Sequence, residues 1–168
     1  AQDEQAYVDV REGTDVHSYT AGVIGCSRQE AKAHTFKPLY GGTTGTEDQQ
    51  RYYRAFKEKY GGVSTWHEDL QREAVEKRVV TLPSGRQYAF PDARWTKYGT
   101  ATHRTNICNY PVQGFATADL LPAALVRLDK LFTENNLQSV ICNTVHDSIV
   151  IDCHPDEKGI CVKLMREA

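Results

Sequence analysis

Apolar residues recur at helical spacing through the first half of the chain. Over residues 14–24, TDVHSYTAGVI, the pattern predicts a short helix. A second helix is predicted from about Ser27 to Leu39. Ser27 can cap its N-terminus and Gly41-Gly42 stop it. Pro38 falls in the last turn, where it kinks the helix rather than preventing it. Thr46 and Gln49 have capping-box spacing and open a helix through Lys59, along which Tyr53, Phe56 and Tyr60 recur on one face. Gly61-Gly62 should break the chain, and Ser64 should cap a further helix through Lys77.

The period then changes. VVTL, a Pro83-Ser84-Gly85 turn and RQYAF predict a β-hairpin. A polar loop follows from Pro91 to about Thr100. From Gln113 to about Glu134 a long helix is predicted, with Leu121, Leu125, Leu128 and Phe132 on one face and Pro122 as an internal kink. The runs VICNTV and SIVID read as a second hairpin of buried strands, and a helix follows Pro155. There is no internal repeat or low-complexity tract. Helices, hairpin, long helix, hairpin and helix in this order predict an α+β fold.

Composition narrows the picture only slightly. The chain has 168 residues, enough for one domain with its own core. Its net charge of -2 gives no overall basic signal for nucleic acid, so that case must rest on local clusters. The five cysteines are odd in number and none form a C-x-x-C pair, which argues against a disulfide framework or zinc cluster and fits a reducing cytoplasm. No apolar run reaches the length of a membrane span, and the N-terminal residues do not read as a secretory signal. The only Met is Met165, and the final residues stop within a predicted helix, so both ends are expected to be cut.

Three stretches carry chemistry. In SRQEAKAHTFKPLYGG, residues Arg28, Lys32, Phe36 and Tyr40 follow one another at four-residue steps on one drifting helix face. Two cations near a helix N-terminus can clamp a polyphosphate, and two aromatics beyond them can stack on a base. On spacing alone the same face reads more readily as solvated cations beside core aromatics, as most mixed faces do. His146 and Asp147 sit at the tip of the second hairpin, where a rigid turn suits a metal ligand; Asp is also an ordinary turn residue. In NYPVQGFATAD, Asn109 and Gln113 can both donate and accept, as minor-groove readout requires, or simply lie in a loop leading into a helix.

Taken together, residues 14–157 resemble the polymerase domain of family A DNA polymerases. T-D-V-H-S-Y-T-A resembles that family's D-I-H-x-x-T-A segment, and R-x-x-x-K-x-x-x-F-x-x-x-Y-G over 28–41 resembles its motif B. T-L-P-S-G-R resembles the hairpin between fingers and palm. N-Y-P-V-Q-G-F-A-T-A-D resembles N-x-P-x-Q-G-x-A-A-D with one extra residue before its Asp, and V-H-D-S resembles motif C, V-H-D-E. Five segments in order make the resemblance specific, and motif B and the Gln113 segment are closest to phage-type members.

The resemblance implies a right-hand fold: fingers helices over about 14–77, then hairpin, long helix and part of an antiparallel palm sheet over about 78–168. It implies a template-directed DNA polymerase that transfers a nucleotide from a dNTP to a primer 3′-hydroxyl. Asp147 would bind catalytic Mg²⁺ in a two-metal site. Arg28, Lys32 and His17 would hold the triphosphate, with Lys32 also placed to protonate pyrophosphate. Phe36 would pack on the nucleotide and disfavour dideoxynucleotides; Tyr40 would stack at the template side and help exclude ribose. His146 would sit by the primer end. Asn109 and Gln113 would read the nascent pair, with Gly41 also assigned to DNA. Arg72, Lys77, Arg78, Arg86, Arg94, Lys97 and Arg104 would be candidates for backbone phosphates, Arg86 and Arg104 foremost.

Two departures qualify these expectations. The family's motif A, D-Y-S-x-x-E, precedes the D-x-H segment, and Asp3 and Asp9 lack its context, so the second metal carboxylate is expected outside these residues. The implied partners are therefore primer-template DNA, dNTP and the rest of the polymerase, in the same chain or as a separate subunit. Ser148 stands where Glu is usual, in the H-D-S form of single-subunit phage-type RNA polymerases. An RNA polymerase fragment, or a non-catalytic half of a split polymerase, are the alternatives. The expected location is the cytoplasm, that of the host if phage-encoded.

Overall fold

The computed structural model describes residues 3–42 and 44–168. The first helices are α1 (Glu4–Arg11), α2 (Val16–Ile24), α3 (Arg28–Leu39), α4 (Glu47–Lys59) and α5 (Gly61–Lys77). Strands β1 (Val79–Thr81) and β2 (Gln87–Ala89) pair antiparallel, with Val80 opposite Tyr88. Then come α6 (Arg104–Gly114), a π-helical segment (Phe115–Leu120) and α7 (Leu121–Glu134). Strands β3 (Val140–Val145) and β4 (Ser148–Asp152), a short 3₁₀ turn (Pro155–Glu157) and α8 (Lys158–Glu167) close the chain. The fold is α+β, as expected. It forms two compact units, residues 1–81 with 86–111, and residues 82–85 with 112–168.

In the first unit, local chemistry sets most helix ends. Ser27 and Glu30 form a full capping box on α3, and Thr46 and Gln49 form another on α4. The start of α5 is different. It begins at Gly61, without a side-chain cap of its own, so Gly61-Gly62 does not break the chain and Ser64 lies inside the helix. Tyr60 alone makes the break (φ -114°, ψ 65°). The Val63 amide, one of the open donors of that first turn, donates to Asp3 Oδ2 at 3.1 Å, while Oδ1 of the same carboxylate caps α1 by accepting from the Ala6 amide at 2.9 Å. Helix α1 had no forecast in the pattern.

Two apolar clusters hold this unit together. Tyr52, Tyr53, Phe56, Tyr60 and Val63 form one, with Phe56 and Tyr60 edge to face at 4.8 Å. Leu70, Ala74, Val80, Phe90, Ala93, Ala101 and Ile107 form the other, which seats the β1–β2 hairpin on α5 and α6. A buried polar knot ties α2, α3 and α4: Thr20 Oγ1 lies 2.9 Å from Tyr52 Oη and 2.8 Å from Thr35 Oγ1. Both threonines also back-bond within their helices, Thr20 to the Val16 carbonyl and Thr35 to that of Ala31.

In the second unit, Leu128 and Phe132 of α7 and Cys161 and Leu164 of α8 pack with Ile141, Ile149 and Ile151 of the β3–β4 hairpin. Only that face is covered. Val140, Val145 and Val150 are 54%, 50% and 39% exposed, so the strands are half-open rather than buried as their apolar runs suggested. Apolar content reports where strands lie, not whether both faces find partners.

The segment NYPVQG lies in the last turns of α6, not in a loop, with Pro111 inside the helix. The π segment FATADL follows directly. An extra residue inserted into an α-helix can be absorbed as one widened turn. The π segment contains Thr117, the position at which this chain carries one residue more than N-x-P-x-Q-G-x-A-A-D. It also precedes Pro122, whose ring would press on the carbonyl four residues back in a regular helix. Asp119 then accepts a 2.6 Å hydrogen bond from the Ser84 hydroxyl.

Candidate nucleotide and nucleic-acid interface

Helix α3 carries Arg28, Lys32, Phe36 and Tyr40 at successive four-residue steps. The structure brings the aromatic end of this row together with α2. Phe36 and Tyr40 stack at 6.4 Å with ring planes 17° apart, and His17 meets Phe36 edge-on at 5.5 Å. Phe36 is 46% exposed, too open for a core residue of a closed cluster. His17 Nδ1 is buried without a hydrogen-bond partner among the described residues. The aromatic row therefore presents a π surface with an unused polar nitrogen beside it.

The cationic end differs from the sequence expectation. Arg28 is not a lone cation: Nε donates to Asp15 Oδ2 at 2.9 Å and Nη2 donates to Oδ1 at 3.3 Å. Asp15 also caps α2, accepting from the His17 and Ser18 amides at 3.1 Å and from the Ser18 hydroxyl at 2.8 Å. The Arg28 guanidinium first, then the Ser18 hydroxyl and amide, hold the Asp15 carboxyl far below the usual carboxylate range. Nη1 of Arg28 stays outside this fork, so an arriving phosphate would share the guanidinium with Asp15 rather than take it whole. The spacing of Asp15 and Arg28, thirteen residues apart, gave no local signal of the pair. Lys32, half-buried one turn on, makes no ion pair among the described residues.

Gly41, expected at DNA, is buried at the end of α3 with φ +77°. A Cβ there would stand 3.1 Å from Cys108 Sγ and 3.4 Å from Arg104 Nε. Its requirement for glycine is thus conformation and close approach of α6. Cys108, pushed up to about 11 by burial, is an inert packing thiol. Arg104 is half-buried, with Nε lacking a hydrogen-bond partner among the described residues; Arg86 is exposed in the hairpin turn. Asn109 is half-buried on α6 with Oδ1 unpartnered among the described residues, while Gln113 is exposed near the end of the same helix.

In the second unit, Val145 pairs with Ser148, leaving His146 and Asp147 as a two-residue turn. His146 takes a left-handed conformation, φ 58°, where glycine is commoner. Both side chains are exposed. A carboxylate on so short a turn is a well-held single oxygen ligand for a hard cation such as Mg²⁺. Among the described residues no group of three metal-ligating side chains gathers anywhere, so Asp147 could supply only part of a donor set. No helix among them is long and apolar enough to cross a membrane.

Comparison with known proteins gives a consistent result. The family model for DNA polymerase family A matches residues 1–168. DNA polymerase I of Lactococcus lactis subsp. cremoris (strain MG1363) is 32% identical over 192 residues, covering 99% of this chain and 22% of that protein. DNA polymerase I of Streptococcus pneumoniae (strain ATCC BAA-255 / R6) is 28% identical over 188 residues, covering 99% and 21%. The chain thus spans 22% and 21% of the length of these curated relatives. Among solved structures, the POL domain of Pol1 from M. smegmatis, in complex with DNA primer-template and dNTP, matches the fold with a TM-score of 0.81 at 22% identity, over 99% of this chain and 32% of that one. By sequence along its whole length and by fold, the chain belongs to DNA polymerase family A.

Proposed function

We propose that this chain is part of a template-directed DNA polymerase, with fingers helices over about 14–77 and the hairpin, long helix and palm portion over about 78–168. The observation that carries the reading is the α3 row of Arg28, Lys32, Phe36 and Tyr40 with His17 set against Phe36. Cations at the N-terminal end and stacked rings at the other suit a nucleotide lying along the helix, triphosphate first. The M. smegmatis relative is described with primer-template and dNTP, which supports the same ligands here.

In the reaction, the primer 3′-hydroxyl gives up its proton to water, its oxygen bonds to the α-phosphorus of the dNTP, the bond from that phosphorus to the bridging oxygen of the β-phosphate breaks, and pyrophosphate leaves. Arg28 and Lys32 would neutralise the charge that develops on the leaving phosphates, and the Lys32 ammonium would give its proton to the departing oxygen. His17 would bond a phosphate oxygen through its unpartnered ring nitrogen. Phe36 would pack on the sugar and base, and Tyr40 would guard the template side. Asn109 and Gln113 would read the minor groove, His146 would sit by the primer end, and Arg86 and Arg104 would bind backbone phosphates. Gly41 would act by letting α6 approach. Asp147 would be one carboxylate ligand of a Mg²⁺ pair whose other carboxylate comes from outside these residues; the metals, when bound, would stabilise charge on the attacking and leaving oxygens. A phage-type, cytoplasmic enzyme is the finer version of this reading, supported by the resemblance of motif B and the Gln113 segment.

The test is a pair of variants in the active enzyme carrying this chain. Lys32→Ala should lower nucleotide incorporation by at least about a hundredfold, the usual effect of a lost proton donor, with duplex binding little changed. Asp147→Ala should abolish incorporation with the fold intact. Equal loss of incorporation and DNA binding in Lys32→Ala would remove α3 from the nucleotide site. A preference for ribonucleotides would favour the RNA polymerase alternative to which Ser148 points.

A further inference from the structure

A cleft of about 380 Å³ opens beside α4, lined by Gln50, Tyr53, Arg54, Lys57, Thr100 and Arg104. None of these residues belongs to the α3 row. Three of them are cations and none is a carboxylate. Arg54 and Lys57 are exposed and form no ion pair among the described residues.

Two residues of the lining, Tyr53 and Arg104, each carry a buried polar atom without a hydrogen-bond partner among the described residues, Oη and Nε. Tyr53 is only 1% exposed. Burial pushes its phenol up, so the hydroxyl keeps its proton and stands as a donor. A buried donor left unbonded is a standing cost unless something bonds it. The Lys37 ammonium, 5.8 Å from the Tyr53 ring centroid, adds further positive charge nearby. The Gln50 amide is already used, donating to the Gly45 carbonyl at 2.8 Å.

What remains is a set of donors with net positive charge. A carboxylate has two oxygens and one charge, too few for three cations and a phenol. A free phosphate carries four oxygens and up to two charges, and a nucleic-acid strand offers one charge and two free oxygens at each of several successive phosphates, so either suits Arg and Lys together. The space exceeds by far the roughly 30 Å³ share of one water, so a phosphate enters with part of its hydration. We propose that this cleft between α4 and the start of α6 is a phosphate-binding site, formed by Tyr53, Arg54, Lys57 and Arg104. The phosphate is a backbone group of a nucleic-acid strand or a free phosphate; only the first source rests on the polymerase reading.

Two measurements on the 168-residue chain test it. Inorganic phosphate is titrated while amide NMR follows the chain, and binding of a fluorescent single-stranded oligonucleotide is followed against salt. Both are repeated with the double variant Arg54→Gln/Lys57→Gln, which alters exposed side chains only, and with Tyr53→Phe. Phosphate should shift amides around residues 50–57 and 100–104, and both variants should weaken that response. If a strand is the source, the double variant should also flatten the salt dependence of log affinity by about 1.4, two contacts at roughly 0.7 each on single strands. A lost phosphate response with an unchanged salt slope supports the site with free phosphate as its ligand. Absence of phosphate shifts in the unaltered chain, or shifts that survive the double variant, overturns the proposal. The phosphate arm reads the same whether or not Lys32 proves to serve nucleotide incorporation.

Discussion

Asp15 does three jobs with one carboxylate: it caps α2, bonds the Ser18 hydroxyl and forks onto Arg28. Replacing it by Asn removes the charge that competes with an incoming phosphate but also the fork that aims Arg28. Asp15→Asn should therefore leave nucleotide affinity equal or tighter and slow incorporation at saturating nucleotide; a rise in KM with kcat unchanged would contradict that division. His67 gives a different prediction. It is 4% exposed, and burial first, then the Arg104 charge, hold its pKa down to about 4. A depressed folded value means the neutral ring is favoured in the fold. Its contribution is present above the ordinary value near 6.5 and is lost as pH falls through 6.5 toward 4, a change on the order of 3 kcal/mol. His67→Phe should flatten the stability profile in that window, measured by urea unfolding from pH 7 to 4. Asp9, drawn down to about 2 by Lys59 and then by the Tyr60 hydroxyl, acts lower, its contribution fading from about pH 4 to 2.

Helix ends show how far local chemistry reaches. The capping boxes at Ser27 and Thr46 bond within three residues; the Thr46–Gln49 box and the Ser27 cap were read from the sequence, while the return bond from Glu30 was not. The start of α5 depends on Asp3, sixty residues away, so no local signal could mark it. The π segment is a third case. Its extra residue was visible as a mismatch of one in the NYPVQGFATAD stretch, but the way the helix absorbs it was not. Deleting Thr117 should convert the widened turn to regular α-helix while Leu128 and Phe132 keep their places in the core. Deleting Ala124 instead would rotate the rest of α7 by about 100° and take both residues off that core. Thermal melts should show a small shift for the first deletion and loss of cooperative unfolding for the second. Similar damage from both would mean that the π turn is required and not merely tolerated.

With a net charge of -2, the proposed binding to nucleic acid would have to come from local arrangement, and the cations around α3 and α4 would supply it. The open face of the β3–β4 hairpin, with Val140, Val145 and Val150 exposed, is the chain's clearest apolar liability. Light scattering of the purified chain should show association that grows with concentration, and Val150→Lys should reduce it without lowering the melting temperature. Undiminished association in that variant would place the sticky surface elsewhere.

Most of the element order, though not α1, α6 or the π segment, together with the i, i+4 row on α3 and the ionisable turn of the second hairpin, was written in the residues. Each depends on periodicity or on bonds spanning a few positions, which a linear pattern records directly. The row was ambiguous by itself, since solvated cations beside core rings have the same spacing. Packing leaves Phe36 half open and sets His17 against it, so that ring is not closed into the core. Packing also paired Arg28 with Asp15, buried Gly41 under α6, began α5 at Gly61 and left one face of β3–β4 uncovered. Those outcomes turn on contacts between residues distant in the chain, and their energies depend on which surfaces meet, a quantity no stretch of sequence carries alone.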